Sequence, residues 1–415
     1  MEKKGMENED FSLKEEKHGK IPGRLPQFPS CGTLRKSGEA GHGLNRGRAG
    51  EPGPAAEWIF VGGGCGMKEN MRAVVYREKG VFALEERPVP KIQDPTDAVV
   101  RVTLASICSS DLHIKGGFVP RAVPGTIVGH EFVGVVESVG AQVAFVQPGD
   151  RVAVNVETFC GRCFFCQRGF VNNCTDPSGG WALGCRIDGG QAEYVRVPYA
   201  DNGLTKIPDS VTDRQALFTG DILSTGYWAA HISQIQPGDT VLVLGAGPTG
   251  LCTMMCARLY RPAHILAVEP DPARRALALA QGWADEAVEP GPHAAEVLKS
   301  WTDGRGADVV LEAAGGRDTF QTAWQLARPN ATVTVVAMYE ETQVLPLPDM
   351  YGKNLTFKTG GVDACHCGEI LELIAAGKLN AEPLITHTYP LERVMEAYDL
   401  FEQKGDGVLK IAVQP

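Results

Sequence analysis

Four cysteines fall in one short run, Cys160-x2-Cys163-x2-Cys166-x7-Cys174. Thiolates at such spacings wrap a single tetrahedral ion, and the fourth ligand closes the loop. Structural zinc is the reading this spacing favours. An iron–sulfur cluster uses similar ligands, but the gap before Cys174 departs from the bacterial ferredoxin run. A second set is dispersed. Cys108-Ser109-Ser110-Asp111-Leu112-His113 follows one apolar run, and Gly129-His130-Glu131 precedes another. A catalytic zinc takes three protein ligands and keeps one position open. Cys108 and His130 are candidates for two of them, although alone each has an ordinary alternative, a small buried cysteine and a polar contact. Spacing does not reveal the third ligand; Cys185 is one candidate.

A third feature serves a nucleotide. Val241-Leu242-Val243-Leu244 runs straight into Gly245-Ala246-Gly247-Pro248-Thr249-Gly250, and a helical pattern follows. The glycines permit a tight turn, close approach of a pyrophosphate and close helix–strand packing, and the helix N-terminus offers free N–H groups. Glu269 ends the next apolar run, at the ~20-residue distance where an acid meets the ribose hydroxyls. Its charge favours NAD over NADP. Arg274 and Arg275 follow closely and read as helix-surface charge.

These residues need two kinds of scaffold. From Met71 the chain shows short β-type runs, at 72–76, 98–102, 132–136 and 151–154, separated by Pro-Gly-Asp turns. That pattern predicts a β-rich, barrel-like domain. Strands and helices alternate from about Asp239, with further buried strands at 308–312 and 332–336, as a doubly wound parallel sheet requires. Two helices, near 367–376 and 391–401, and a last strand over 408–413 are expected to return to the first domain. Residues 1–66 lack periodicity and read as a disordered extension or as a start codon placed too early.

A net charge of −10 over 415 residues argues against a nucleic-acid partner. No apolar run reaches the ~18 residues of a membrane span. Twelve cysteines in a chain of this length do not suggest a disulfide framework. A reducing cytoplasm is the expected compartment.

Taken together, the Cys-Ser-Ser-Asp-x-His stretch, Gly-His-Glu, Pro148-Gly149-Asp150-Arg151-Val152, the four-cysteine loop and the nucleotide turn resemble the zinc-dependent medium-chain alcohol dehydrogenases. The resemblance runs from Met71 to the C-terminus. It implies a Rossmann doubly wound sheet inserted into a β-rich GroES-like catalytic domain. The implied boundaries are 67–220 for the catalytic domain, 221–358 for the nucleotide domain, and 359–415 for the return. It implies two zinc ions per subunit, one catalytic and one structural, NAD, and a homodimer or homotetramer acting on a small alcohol or carbonyl compound. Cys108 and His130 match catalytic ligands. Glu131 matches the acidic neighbour that joins the metal in some relatives. Asp221, before Ser224-Thr225-Gly226, stands where many members carry a cysteine ligand. That carboxylate resembles the secondary-alcohol, polyol and glutathione-independent formaldehyde dehydrogenase branches, and Val197-Pro198-Tyr199-Ala200-Asp201 also resembles the last of these. Ser110 and His113 match a proton relay, and Thr225 a nicotinamide contact. Trp181, Phe118, Tyr227 and Trp228 are pocket candidates. The implied function is reversible hydride transfer between a secondary alcohol and NAD. A formaldehyde dehydrogenase or dismutase is the alternative within the fold. An inactive zinc- and nucleotide-binding redox sensor is the alternative outside catalysis.

Overall fold

The computed structural model describes residues 68–415; the extension read over 1–66 lies outside the described residues. Six parallel strands form one sheet in the order Glu286–Val288, His264–Val268, Thr240–Leu244, Ala307–Glu312, Ala327–Val335, Thr356–Thr359. Numbered along the chain, that order is 3-2-1-4-5-6, the doubly wound arrangement. Thr240–Leu244 is buried at every position, which is why its sequence is apolar without alternation. The strand order reverses between Thr240–Leu244 and Ala307–Glu312, so the glycine turn opens into the crevice at the switch point. The strand expected over 332–336 begins earlier, at Ala327. Its partner register jumps between Ala307 and Val309. The chain thereby absorbs Pro329, which has no N–H to give a ladder.

The second sheet is mostly antiparallel. Its main path is Ile385–Pro390, Lys410–Gln414, Ala98–Ile107, Phe132–Val139, Arg151–Val154, Leu204–Lys206, and Tyr194–Val197 also pairs with Ala98–Ile107. The chain leaves this sheet, builds the parallel one and comes back. Lys410–Gln414 runs antiparallel to Ala98–Ile107, next to the point where that strand delivers Cys108. The hairpin Asn70–Glu78/Val81–Pro88 flanks the sheet. Among the described residues no helix is long and apolar enough to cross a membrane.

One apolar cluster joins both halves. Leu104 and Val133 of the antiparallel sheet meet Ile222, Leu223 and Tyr227, which in turn meet Val241, Leu251 and Ile370. The bridging element is the helix Ile222–Ile232, buried on nearly every face. It lies on the helix Pro248–Arg258 that follows the glycine turn. A Cβ on Gly226 would stand 2.6 Å from the backbone carbon of Cys252, so only glycine permits this approach. Gly226→Val is expected to cost about 1–3 kcal/mol by overpacking, read from denaturant unfolding, and to lower zinc retention and NADH binding together.

Candidate active site

Cys108 ends the strand Ala98–Ile107 and occupies the N-cap of the helix Ser109–Lys115. Its N–H donates to Asp111 Oδ2 at 2.9 Å. The other oxygen of Asp111 lies 3.2 Å from His130 Nδ1. Gln191 Nε2 donates to Asp111 at 3.1 Å, and the Tyr398 hydroxyl donates to Gln191 at 2.6 Å. All of these groups are buried. One carboxylate thus fixes the backbone of one candidate ligand and the ring of the other, the outer support that metal-binding histidines use. The sequence contains the signal for Asp111, an acid three residues after an N-cap, but that pattern reads only as helix capping.

Asp221 precedes the helix Ile222–Ile232. Its Oδ2 is 3.6 Å from Cys108 Sγ and 3.2 Å from His130 Nε2. The three donor atoms lie within 4.8 Å of one another, and all three residues are buried. Ligands on a tetrahedral zinc at roughly 2.0–2.3 Å stand about 3.3–3.8 Å apart, so sulfur, nitrogen and oxygen here have the chemistry and spacing for that ion. His130 Nε2 has no hydrogen bond of its own. Burial opposes a charged imidazole, yet the carboxylates of Asp111 and Asp221 outweigh it and hold His130 well above its ordinary value. The pocket is therefore built for positive charge at this point. Burial raises Asp221, but His130 pulls it below the usual carboxylate range. Cys185 is buried nearby, where burial pushes its thiol up, and it is not part of this donor set.

Glu131 is also outside that donor set. Its Oε2 lies 2.5 Å from Lys410 Nζ, with both side chains almost fully enclosed. Its Oε1 accepts from the Ile222 N–H at 3.4 Å. Burial disfavours a charged Lys410, but Cys108, Glu131 and Asp221 overcome this and keep the ammonium protonated. Lys410 balances the acids clustered around the ligands. Nothing in its sequence neighbourhood marks it, because only the return of the last strand brings it there.

The four sulfurs of Cys160, Cys163, Cys166 and Cys174 also lie within 4.8 Å of one another, and none is in a disulfide. Backbone N–H groups of Cys166 and Thr175 bring Cys163 down to about 5, so a thiolate is already favoured there. The loop hangs from a two-stranded ribbon in which Glu157 pairs with Trp181. The Trp181 ring lies edge-on to His130 at 5.4 Å. Of the other aromatic candidates, Phe118 is exposed, Tyr227 is buried in the shared core, and Trp228 packs on Val156 and Val362.

At the glycine turn, a Cβ on Gly250 would stand 2.0 Å from the Gly245 carbonyl oxygen, which accounts for the third glycine of the motif. Glu269 accepts the Ala246 N–H at 2.6 Å and the Asp271 N–H at 3.0 Å, so it shapes the turn. A cavity of about 820 Å³ runs from Gly245, Gly247, Pro248 and Thr249 past Glu269 to Ser109 and Leu112 of the other half. Thr225, Cys108, His130 and Asp221 do not line it. Arg275 is only partly exposed and is tied to backbone carbonyls and Glu289. Arg274 differs from the surface reading: it lines the cavity, with its guanidinium near Gly247. Ser110 Oγ is 3.8 Å from Cys108 Sγ. His113 Nδ1 lies 3.4 Å from Glu340, across the cleft.

Comparison with known proteins decides the family. The model for the alcohol dehydrogenase GroES-like domain matches residues 94–209, and that for the zinc-binding dehydrogenases matches 248–369. The zinc-type alcohol dehydrogenase B of Aspergillus flavus is 36% identical over 345 residues, covering 80% of this chain and 79% of that protein. The chain belongs to the zinc-dependent alcohol dehydrogenases. Among solved structures, an alcohol dehydrogenase from a Thermus species superposes with a TM-score of 0.76 at 37% identity, covering 83% of this dehydrogenase and 99% of its own chain. The NADP-dependent isopropanol dehydrogenase of Thermoanaerobacter brockii is 30% identical over 339 residues, covering 79% of this chain and 95% of its own.

Two outcomes are expected. Cys108→Ala loses one zinc and all turnover, whereas Cys163→Ala loses the other zinc and mainly thermal stability; metal analysis with parallel assays separates them. Lys410→Met leaves Glu131 as an uncompensated buried charge and costs about 3–5 kcal/mol in unfolding free energy. Adding Glu131→Gln recovers most of that loss.

Proposed function

We propose that this dehydrogenase interconverts a secondary alcohol and its ketone with NAD as hydride acceptor. The observation that carries the reading is the third donor: Asp221, a carboxylate, stands with Cys108 and His130 where many relatives have a thiolate. Zinc bound there supplies a Lewis acid that polarises the alcohol oxygen and lowers its pKa. Ser110 takes the hydroxyl proton as it leaves. His113, whose Nδ1 stands 3.4 Å from a Glu340 carboxylate oxygen, receives it next. A bound nicotinamide would supply the hydride acceptor, and Thr225, in the first turn of its helix, would be the residue that orients it. Gly245, Gly247, Pro248, Thr249 and Gly250 hold the pyrophosphate at the N-terminus of the helix Pro248–Arg258.

Glu269 supports NAD, because its carboxylate accepts ribose hydroxyls and repels a 2′-phosphate. Arg274 works against that preference, and the Thermoanaerobacter relative is named for NADP. The reading keeps a catalytic domain of 67–220 and 359–415 around a nucleotide domain of 221–358. It includes a homodimer or homotetramer acting in the cytoplasm.

The likeness of Val197–Asp201 to the formaldehyde-oxidising branch carries less weight. The Tyr199 hydroxyl donates to Asp176 at 2.6 Å, and Asp201 accepts the N–H groups of Ala144 and Phe145. Those bonds support the cysteine loop and a neighbouring turn rather than a substrate. The test is a substrate panel on the zinc-loaded protein: propan-2-ol, ethanol, sorbitol and formaldehyde, each with NAD and with NADP. The highest kcat/KM is expected for the secondary alcohol with NAD, with roughly tenfold or more over NADP. Formaldehyde turnover without added nucleotide would move the protein to the dismutating branch. No turnover of any compound would favour the redox-sensor reading.

A further inference from the structure

The rim of the metal site carries an arginine that forms no ion pair among the described residues. Arg121, in the loop after the helix Ser109–Lys115, is exposed. Its guanidinium carbon lies 5.1 Å from the centre of the Trp181 ring. That indole also touches His130, 5.4 Å away on ring centroids. A single side chain therefore separates the guanidinium from a catalytic ligand. Among the described residues no carboxylate oxygen lies within 4.0 Å of a nitrogen of Arg121. Glu157, the acid that shares its field, is enclosed, and burial holds its carboxyl well above the usual range.

Two neighbours add to the same imbalance. Arg186, in the turn after Trp181, donates to the carbonyls of Pro177 and Gly179 rather than to an acid, and its Nε is without a partner. Trp181 Nε1 is a buried donor with no acceptor. Both arginines and His130 lie close enough to Cys185 to act on its thiol. Two partnerless donors, Arg186 Nε and Trp181 Nε1, thus lie beside Arg121 in a chain whose net charge is −10. Arg121 also hydrogen-bonds the Cys185 side chain, but a guanidinium held against an aromatic face keeps its other N–H donors for a further partner, and they match the paired oxygens of a carboxylate or phosphate. A local positive rim on an acidic protein also draws anions toward the cleft.

We propose that Arg121, seated on Trp181, binds an oxyanion carried by the substrate, so that the preferred alcohol bears a carboxylate or a phosphate a few bonds from its carbinol carbon. This rests on the reading of Cys108, His130 and Asp221 as the catalytic ligands. It makes the Arg121 loop the part of the catalytic half that selects among alcohols.

The experiment uses the zinc-loaded full chain and three secondary alcohols with one carbon skeleton: neutral, terminally carboxylated and terminally phosphorylated. The wild type is expected to favour one of the anionic alcohols by kcat/KM, and the better of the two identifies the oxyanion. In Arg121→Gln the anionic-to-neutral ratio falls roughly tenfold or more, and Arg121→Lys recovers part of it. Rising ionic strength raises KM for the anionic alcohol more than for the neutral one. An unchanged ratio in Arg121→Gln, or a wild type that favours the neutral alcohol, overturns the proposal. If no alcohol is oxidised, the catalytic reading has failed, and calorimetric binding of the two anionic alcohols decides the rest. Loss of that binding in Arg121→Gln upholds the oxyanion site, and equal binding overturns it.

Discussion

The contact of two buried helices sets the geometry on which both functional halves depend. Ile222–Ile232 begins directly after Asp221, and Pro248–Arg258 begins directly after Gly247. Gly226 lets the first lie against the backbone of the second. Two helix starts, one following the Asp221 carboxylate of the candidate metal site and one following the glycine turn, are thereby locked to each other. Without that lock, a correct sheet and a correct ligand set would still leave hydride donor and acceptor unaligned, and misplacement of about 1 Å is costly in such reactions.

Charge is the second constraint. Asp111, Asp221 and Glu131 are all buried within one region, with Cys108 among them. Burying so many acids is unfavourable unless cations accompany them. Lys410 is one such cation, paired with Glu131. His130 is drawn to positive charge by its two carboxylates, and a divalent ion answers the same demand while freeing the imidazole nitrogen to act as a ligand. The ribbon of Glu157 and Trp181 closes the site from the side of the cysteine loop, so that loop shapes the catalytic pocket without contributing a ligand to it.

Local patterns in the sequence carried much of this. The apolar run before Gly245 and the spacing of the four cysteines each obey a short-range rule, and each stands in the structure as its pattern implies. Cys108 and His130 are dispersed candidates that neither type nor spacing settles alone, and the fold brings them together with Asp221. Asp221 came through the family resemblance, since nothing local distinguishes a ligand from a helix cap. Lys410, Gln191 and Tyr398 were not legible. They lie on elements brought together only by the long return of the chain, and a lysine in an apolar strand looks like an edge residue. The role of Arg274 was misjudged for a related reason. Helical periodicity places it beside Arg275 on a charged surface, but not in a cavity roofed by a separate turn. The aromatic candidates divided by packing alone: Trp181 lies against His130, Tyr227 and Trp228 pack in apolar clusters, and Phe118 is exposed.

The strand that carries Lys410 lies beyond the whole nucleotide domain in the chain, yet it pairs with the strand that delivers Cys108. During synthesis, the parallel sheet is complete before its partner half can close. The nascent antiparallel sheet must wait with the 105–107 end of that strand unpaired on one side, since Tyr194–Val197 covers only its 98–101 end, a state exposed to wrong pairing. Assembly of this active site is therefore a late event, and a folding helper that shields one strand edge until Lys410–Gln414 arrives would affect metal loading more than it affects the nucleotide site.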